Sequence, residues 1–422
     1  MGRSPGTPDY ATEGVWRQMQ SVACLVLKML AGHDGRRMRT IVTGLIGQYA
    51  FGGVTWDYIQ YALGFRKLGH DVWYLEDTGA WAYDPVKMEP SAECWRNTEY
   101  LARVMEEFGM GDRWIYRNAA DGTCHGAVDA AGAAKVFASA DVLANVSGAC
   151  WLREETARIP MKLFLDGDPM FTHIGLAADP DSEYAKRVRA HERHFSFGLN
   201  IGAADCKVPA AGIEWRPTVQ PVALEYWSGS EADGSRPADG AWTTVMNWAS
   251  YAPKEFEGRK YGQKDIEFER FIDLPSKTRE RFVLAMGQGV GQRRPTAMLE
   301  SKGWTIIEPD THLPDFGSYR EFLGRSKGEW SIAKNGYVQS RSGWFSCRSA
   351  CYLAAGKPVV VQDTGWSRHL PSGEGVVGFE TLDEAAAGVE RVAADYGRHS
   401  KAAREFAERH FEAGKVCAEL VA

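Results

Sequence analysis

The sequence predicts an α/β protein built from two tandem Rossmann-like domains that face each other across a cleft. Three observations carry this. A strand, a glycine loop, a helix and a second strand follow one another from residue 39; a stretch rich in Gly, Ser, Asp and Pro without apolar periodicity fills 228–240; and the strand–helix alternation restarts at 242. A chain of 422 residues also exceeds what one ordinary core holds and suits two domains of about 180 to 200 residues each.

In the first half, TIVTGL (40–45) reads as a buried strand, 47–53 as a loop, 54–68 as a helix stopped by Gly69, and HDVWYLED (70–77) as the second strand. Further strands are expected at 142–146, 162–165, 194–198 and 217–221. The strand at 162–165 delivers Asp166-Gly167-Asp168-Pro169 at its carboxyl end, where open α/β sheets bind ligands.

After the break, strands are expected at 242–247, 282–286 and 305–308, with a helix over 267–274. Residues 337–366 then pack a loop, a helix and a strand into thirty positions. The loop is Ser340-Arg341-Ser342-Gly343, the helix runs over 345–355 and stops at Gly356 with Pro358 beyond, and Val359-Val360-Val361 is a buried strand. A helix that follows a Ser/Gly loop directs its unpaired N–H groups at the loop, and an anion is the natural occupant. Arg341 and Arg348 add formal charge nearby.

Composition narrows the function. A net charge of −6 lacks the basic excess of a nucleic-acid-binding protein. The eight cysteines, Cys24, Cys94, Cys124, Cys150, Cys206, Cys347, Cys351 and Cys417, form no CxxC pair and have no His partners at zinc spacing, which predicts a reducing, cytoplasmic compartment without a metal site. The apolar run SVACLVLKMLAG near the start is interrupted by Lys28 and is too short for a membrane span. Residues 1–37 are expected to be an extension, 38–222 the first domain, 223–400 the second, and 401–422 a helix that braces the first.

Taken together, the tandem architecture, the Gly52-Gly53 pair after the first strand and the Ser-loop, helix, AAGKPVVV and DTG series resemble a GT-B glycosyltransferase. The resemblance implies an acceptor-binding first domain, a second domain that holds a nucleoside-diphosphate sugar such as a UDP-sugar, and no required metal or other cofactor. Many retaining members carry Arg-x4-Lys for the diphosphate, matched here by Arg259 and Lys264, and Ser-x-x-Glu-Gly-Phe-Gly followed by Glu-Ala-Met-Ala-x-Gly-x-Pro. The frame is kept from Ser340 through Phe345 to Gly356 and Pro358, but Gly343 and Cys351 stand where the two glutamates are expected.

On this resemblance the donor residues are Arg259, Lys264, Trp248, Ser340, Arg341, Ser342, Gly343, Ser346, Asp363, Thr364, Gly365 and Glu374, the last as a substitute carboxylate. Tyr251, Trp344 and Trp366 are further aromatic candidates near the donor. Gly52, Gly53 and Asp166 are placed on the acceptor side, and a base is sought among Asp168, His173, His125 and Asp57. The partners implied are the nucleotide sugar and a small-molecule or glycan acceptor, with a homodimer left open. A GT-B sugar-nucleotide epimerase and a non-catalytic sugar-binding protein are the alternatives, the second because both glutamates are replaced.

Overall fold

The structure is a computed structural model that describes residues 37–227, 240–289 and 293–422. The expected extension over 1–37, apart from its last residue, and the expected linker over 228–240, apart from its last residue, lie outside the described residues.

Each half is a doubly wound sheet. The first has eight strands in the order Trp215–Pro217, Arg193–Ser196, Met161–Asp166, Val142–Val146, Arg39–Thr43, Asp71–Glu76, Trp114–Arg117 and Cys124–Gly126. All neighbours are parallel except the last pair, which is a hairpin. The second sheet is wholly parallel and runs Thr305–Ile307, Phe282–Gly289, Trp242–Ala249, Gly328–Ser331, Val359–Gln362 and Val376–Phe379. In chain order this is 3-2-1-4-5-6. Its direction of winding reverses between Trp242–Ala249 and Gly328–Ser331, which opens a crevice at the carboxyl ends of these strands.

Buried strands read as near-continuous apolar runs because helices cover both faces of a parallel sheet. Val359, Val360 and Val376 are fully enclosed, as are Val42 and Leu143. One apolar cluster passes through both halves: Trp56 and Ile59 of the helix Gly52–Lys67 belong to it, together with Phe345, Tyr352 and Leu353 of the second half. The two halves therefore share core rather than meeting only through a thin connection.

The chain returns to the first half at its end. Helix Tyr396–His410 turns at Phe411, whose carbonyl accepts from Val222 N at 2.6 Å, and helix Ala413–Val421 lies against Gly52–Lys67. The approach is close at Gly64, where a Cβ would stand 2.5 Å from Cys417 Sγ.

Candidate functional site

Four polar side chains meet at the crevice of the second sheet. Arg348, in the first turn of helix Cys347–Ala354, donates to Glu329 Oε1, Val245 O and Ser331 Oγ, each at 2.6 Å. Glu329 lies mid-strand with no exposure, and a carboxylate so placed is tolerable only with a cation beside it. Its second oxygen, Oε2, has no hydrogen-bond partner, and neither has the buried Ser349 hydroxyl.

Lys264 opens helix Lys264–Phe268 and is 9% exposed. Among the described residues no carboxylate pairs with it. Burial, and then the nearby charge of Arg348, hold its ammonium well below the usual lysine range; Glu329 opposes this and Lys334 adds to it. An enclosed lysine beside two other cations is a site that would attract an anion.

Asp57 reaches this seam from the first half, on helix Gly52–Lys67. Burial lifts its carboxyl to about 6, opposed by a hydrogen bond with Cys347 and by the charge of Arg348. Of the four candidate bases, Asp57 alone stands beside the first turn of helix Cys347–Ala354.

The expected phosphate loop is built differently from its sequence reading. Ser340 ends a short helix, Asn335–Ser340, and Arg341 follows in the left-handed conformation with φ of +47°. Ser340 and Ser342 are fully enclosed, and Ser340 Oγ donates to Gly336 O at 2.7 Å. Arg341 faces the first half and pairs with Asp205 at 2.8 Å. Ser346 caps the following helix without a side-chain hydrogen bond and is buried. The space at that helix mouth, between Ser331, Trp344, Ser346, Ser349, Gln362 and Trp366, is about 10 Å³, room for one water.

The two positions of the replaced glutamates are both covered by the first half. A Cβ on Gly343, whose φ is +79°, would stand 2.4 Å from Asn200 N. Cys351 is buried, with Gln60 Nε2 3.6 Å from its Sγ. Asp363, Thr364 and Gly365 serve as a buttress: Asp363 accepts from Gly365 N at 2.7 Å, and Thr364 bonds Trp344 O at 2.7 Å and accepts from Gly343 N at 2.9 Å.

Several expectations need correction. His173 is fully enclosed, with Nδ1 2.8 Å from Pro209 O and Nε2 3.2 Å from Asp166 Oδ2, so it has no free nitrogen for a substrate. Asp166 also accepts from Ser196 Oγ at 2.7 Å and is a buried brace rather than an acceptor contact. His125 lies in the edge hairpin, 3.6 Å from Cys94 Sγ. Arg259 is exposed on the hairpin Lys254–Phe256/Arg259–Tyr261, whereas Lys264 is buried, so the spacing does not put both on one anion.

Trp248 packs in the second core against Phe268. Glu374 forms a surface ion pair with Arg398. Gly52 and Gly53 start a helix and admit the second half, since a Cβ on Gly52 would stand 2.2 Å from Asp315 O.

Asp168 is held across the seam. It accepts from Tyr251 OH at 2.5 Å, from Lys334 Nζ at 3.0 Å and from the Tyr337 hydroxyl. The Lys334 ammonium lies 4.5 Å from the Tyr251 ring centre and 5.2 Å from that of Phe171. Lys334 and Glu329 carried no motif in the sequence; a charged residue inside an otherwise strand-like segment, as in GEWS, was the one available signal. Among the described residues no group of three or more His, Cys, Asp or Glu is placed to hold a metal, and no helix is long and apolar enough to cross a membrane.

No family model and no curated protein matches the sequence. Solved structures do. HepE from Anabaena in complex with UDP and glucose is 11% identical and aligns over 91% of this chain and 98% of its own, with a TM-score of 0.53. The HepE complex with UDP is 10% identical over 91% and 98%, with a TM-score of 0.51. The fold is GT-B. In this GT-B chain the crevice of the second domain, where Lys264, Glu329 and Arg348 meet, faces the helix that carries Asp57.

Proposed function

We propose that this protein transfers a sugar from a nucleoside-diphosphate sugar to a hydroxyl of a small-molecule or glycan acceptor. The observation that carries the reading is Lys264, enclosed at the switch point of the second sheet with no carboxylate partner among the described residues. A diphosphate there would restore the ammonium to its charged form and stabilise the negative charge that builds on the leaving group as the anomeric bond breaks. The HepE structures with UDP and with UDP-glucose support a uridine nucleotide.

Donor entry requires the space at the helix mouth, room for one water as it stands, to widen; Asn200 and Gln60 of the first half lie beside it, against Ser342 and Cys351. Asp57 is the base that the geometry favours for an acceptor hydroxyl: it lies beside the donor helix, and its raised pKa suits proton transfer near neutral pH. Arg348 is committed to Glu329 and acts by positioning the first turn of its helix. Asp166 and Asp168 are anions held by protein partners and cannot themselves stabilise the leaving group, whereas Lys264 and the first-turn amides of helix Cys347–Ala354 carry the sign of charge that can.

Calorimetry with UDP-glucose tests the donor site. Wild type should bind and Lys264→Met should not; equal affinity for the two would remove the assignment. A second reading, a GT-B protein that binds without transferring, is favoured by Cys351 and Gly343, since both glutamate positions are filled by the first half. Release of UDP from UDP-glucose, with or without added acceptors, separates the two readings.

A further inference from the structure

Nine large apolar side chains are exposed among the described residues, and six of them are Tyr49, Trp81, Val86, Met88, Trp95 and Trp151. All six lie on loops, a hairpin or a helix start that follow the carboxyl ends of three strands of the first sheet, Arg39–Thr43, Asp71–Glu76 and Val142–Val146. Single exposed apolar residues need no explanation, but a cluster on one edge does.

The cluster is a fixed platform. Asn97, buried to 1%, donates to Gly47 O at 2.7 Å and to Tyr83 O at 2.8 Å, and so ties the first loop to the hairpin Ala82–Asp84/Glu89–Ser91. The Tyr83 ring lies 6.1 Å from Tyr49 and 6.0 Å from Phe51, and its hydroxyl is 3.5 Å from Met88 Sδ. Gln48 donates to Trp81 O at 2.5 Å. Arg96 covers one face of Trp95 at 4.3 Å and Arg187 one face of Trp151 at 3.5 Å. Phe51, which packs on Tyr83, precedes Gly52, and Gly52 abuts Asp315 of the second half, so the platform runs up to the seam.

We propose that this platform is the acceptor subsite and that its occupant is an oligosaccharide chain, whose rings stack on Trp81, Tyr49 and Trp95 while its growing end points to the seam. This rests on the transferase reading for its direction. Aromatic rings with a polar tip or edge suit sugars, which present apolar C–H faces and hydroxyl rims. The position is also where open α/β sheets receive ligands.

Charge argues against a lipid surface. Lys87 pairs with Asp84 and Glu93, Arg96 with Asp84, and Arg153 and Arg117 with Asp77, so among these platform cations and Arg187 only Arg187, over Trp151, lacks an ion pair, and one cation is not the basic stripe that anionic headgroups need.

Binding of the full chain to immobilised hexasaccharides built from neutral hexoses, N-acetylhexosamines or uronates, without nucleotide, tests the proposal. At least one series should bind, with the matching monosaccharide weaker, and Trp81→Ala and Trp95→Ala should each weaken binding by about tenfold at unchanged melting temperature. Val86→Ser/Met88→Ser is the second variant and should reduce binding less.

Failure of every hexasaccharide to bind overturns the platform. So does Trp81-dependent binding to vesicles of phosphatidylcholine and phosphatidylglycerol, or a dimer that Trp81→Ala dissolves. Because the assay contains no nucleotide, a chain that binds glycan but no UDP-glucose sinks the donor assignment alone.

Discussion

Asn200 donates its backbone N–H to the carbonyl of Ser342 at 3.1 Å, and so occupies the room that a side chain at position 343 would need. Gly343→Glu, which restores the residue seen in related motifs, is therefore expected to gain no activity. With a φ of +79° and a Cβ 2.4 Å from Asn200 N, it should destabilise the protein by more than about 2 kcal/mol. A thermal melt of the variant that matches wild type would mean the seam is open in solution.

Lys264→Met is expected to raise the melting temperature while it abolishes UDP-glucose affinity. The folded pKa of Lys264 lies below its unfolded value of about 10.4, so between the two the unfolded chain binds the extra proton. Stability thus falls as pH drops through that window and the cost is constant below it. The advantage of the methionine variant should be large at pH 7 and shrink towards pH 10.5; a gap independent of pH would point to packing instead.

For Asp57 the sign is opposite. Its folded pKa of about 6 lies above the unfolded value, so the folded chain holds the proton more tightly. The resulting stabilisation is complete below about pH 4 and disappears as pH rises through about 6. Asp57→Asn should be more stable than wild type at pH 8 by about 3 kcal/mol and no more stable at pH 4, as read by urea melts. If Asp57 is also the base, the variant loses turnover with little change in donor affinity.

Asp168→Ala removes the shared acceptor of Tyr251, Tyr337 and Lys334 and should cost about 2–3 kcal/mol. Amide hydrogen exchange should quicken around residue 251 and over 334–342, while turnover at saturating donor changes little. A dead enzyme with unaltered exchange would restore Asp168 as a base candidate.

Much of the fold was legible because parallel strands buried on both faces are apolar runs. Val142–Val146 and the start of Trp242–Ala249 fall where their residues place them. Gly328–Ser331 was not, since its glutamate is acceptable only through Arg348, contributed nineteen positions later by another element. The edge hairpin at Cys124–Gly126 was missed because a three-residue Cys-His-Gly strand is too short to make a pattern.

At the candidate site, Lys264 and Asp57 are the two named residues that the structure brings near the first turn of helix Cys347–Ala354. His173, Glu374 and Trp248 have the right chemistry but are claimed by other partners, and only packing decides such competition. The loop Ser340–Gly343 was read as open because small hydroxyl residues suit an anion; the same residues suit the tight turn that Arg341 takes in the left-handed conformation.

Helix Gly52–Lys67 is completed by a segment that lies 356 positions further on, where Cys417 Sγ approaches Tyr61 O at 3.7 Å. During synthesis the nascent first half must leave the ribosome with an apolar stripe bare until residues 413–421 emerge. Expressed alone, 38–222 should be sticky and partly unfolded, and a co-expressed second half should rescue it.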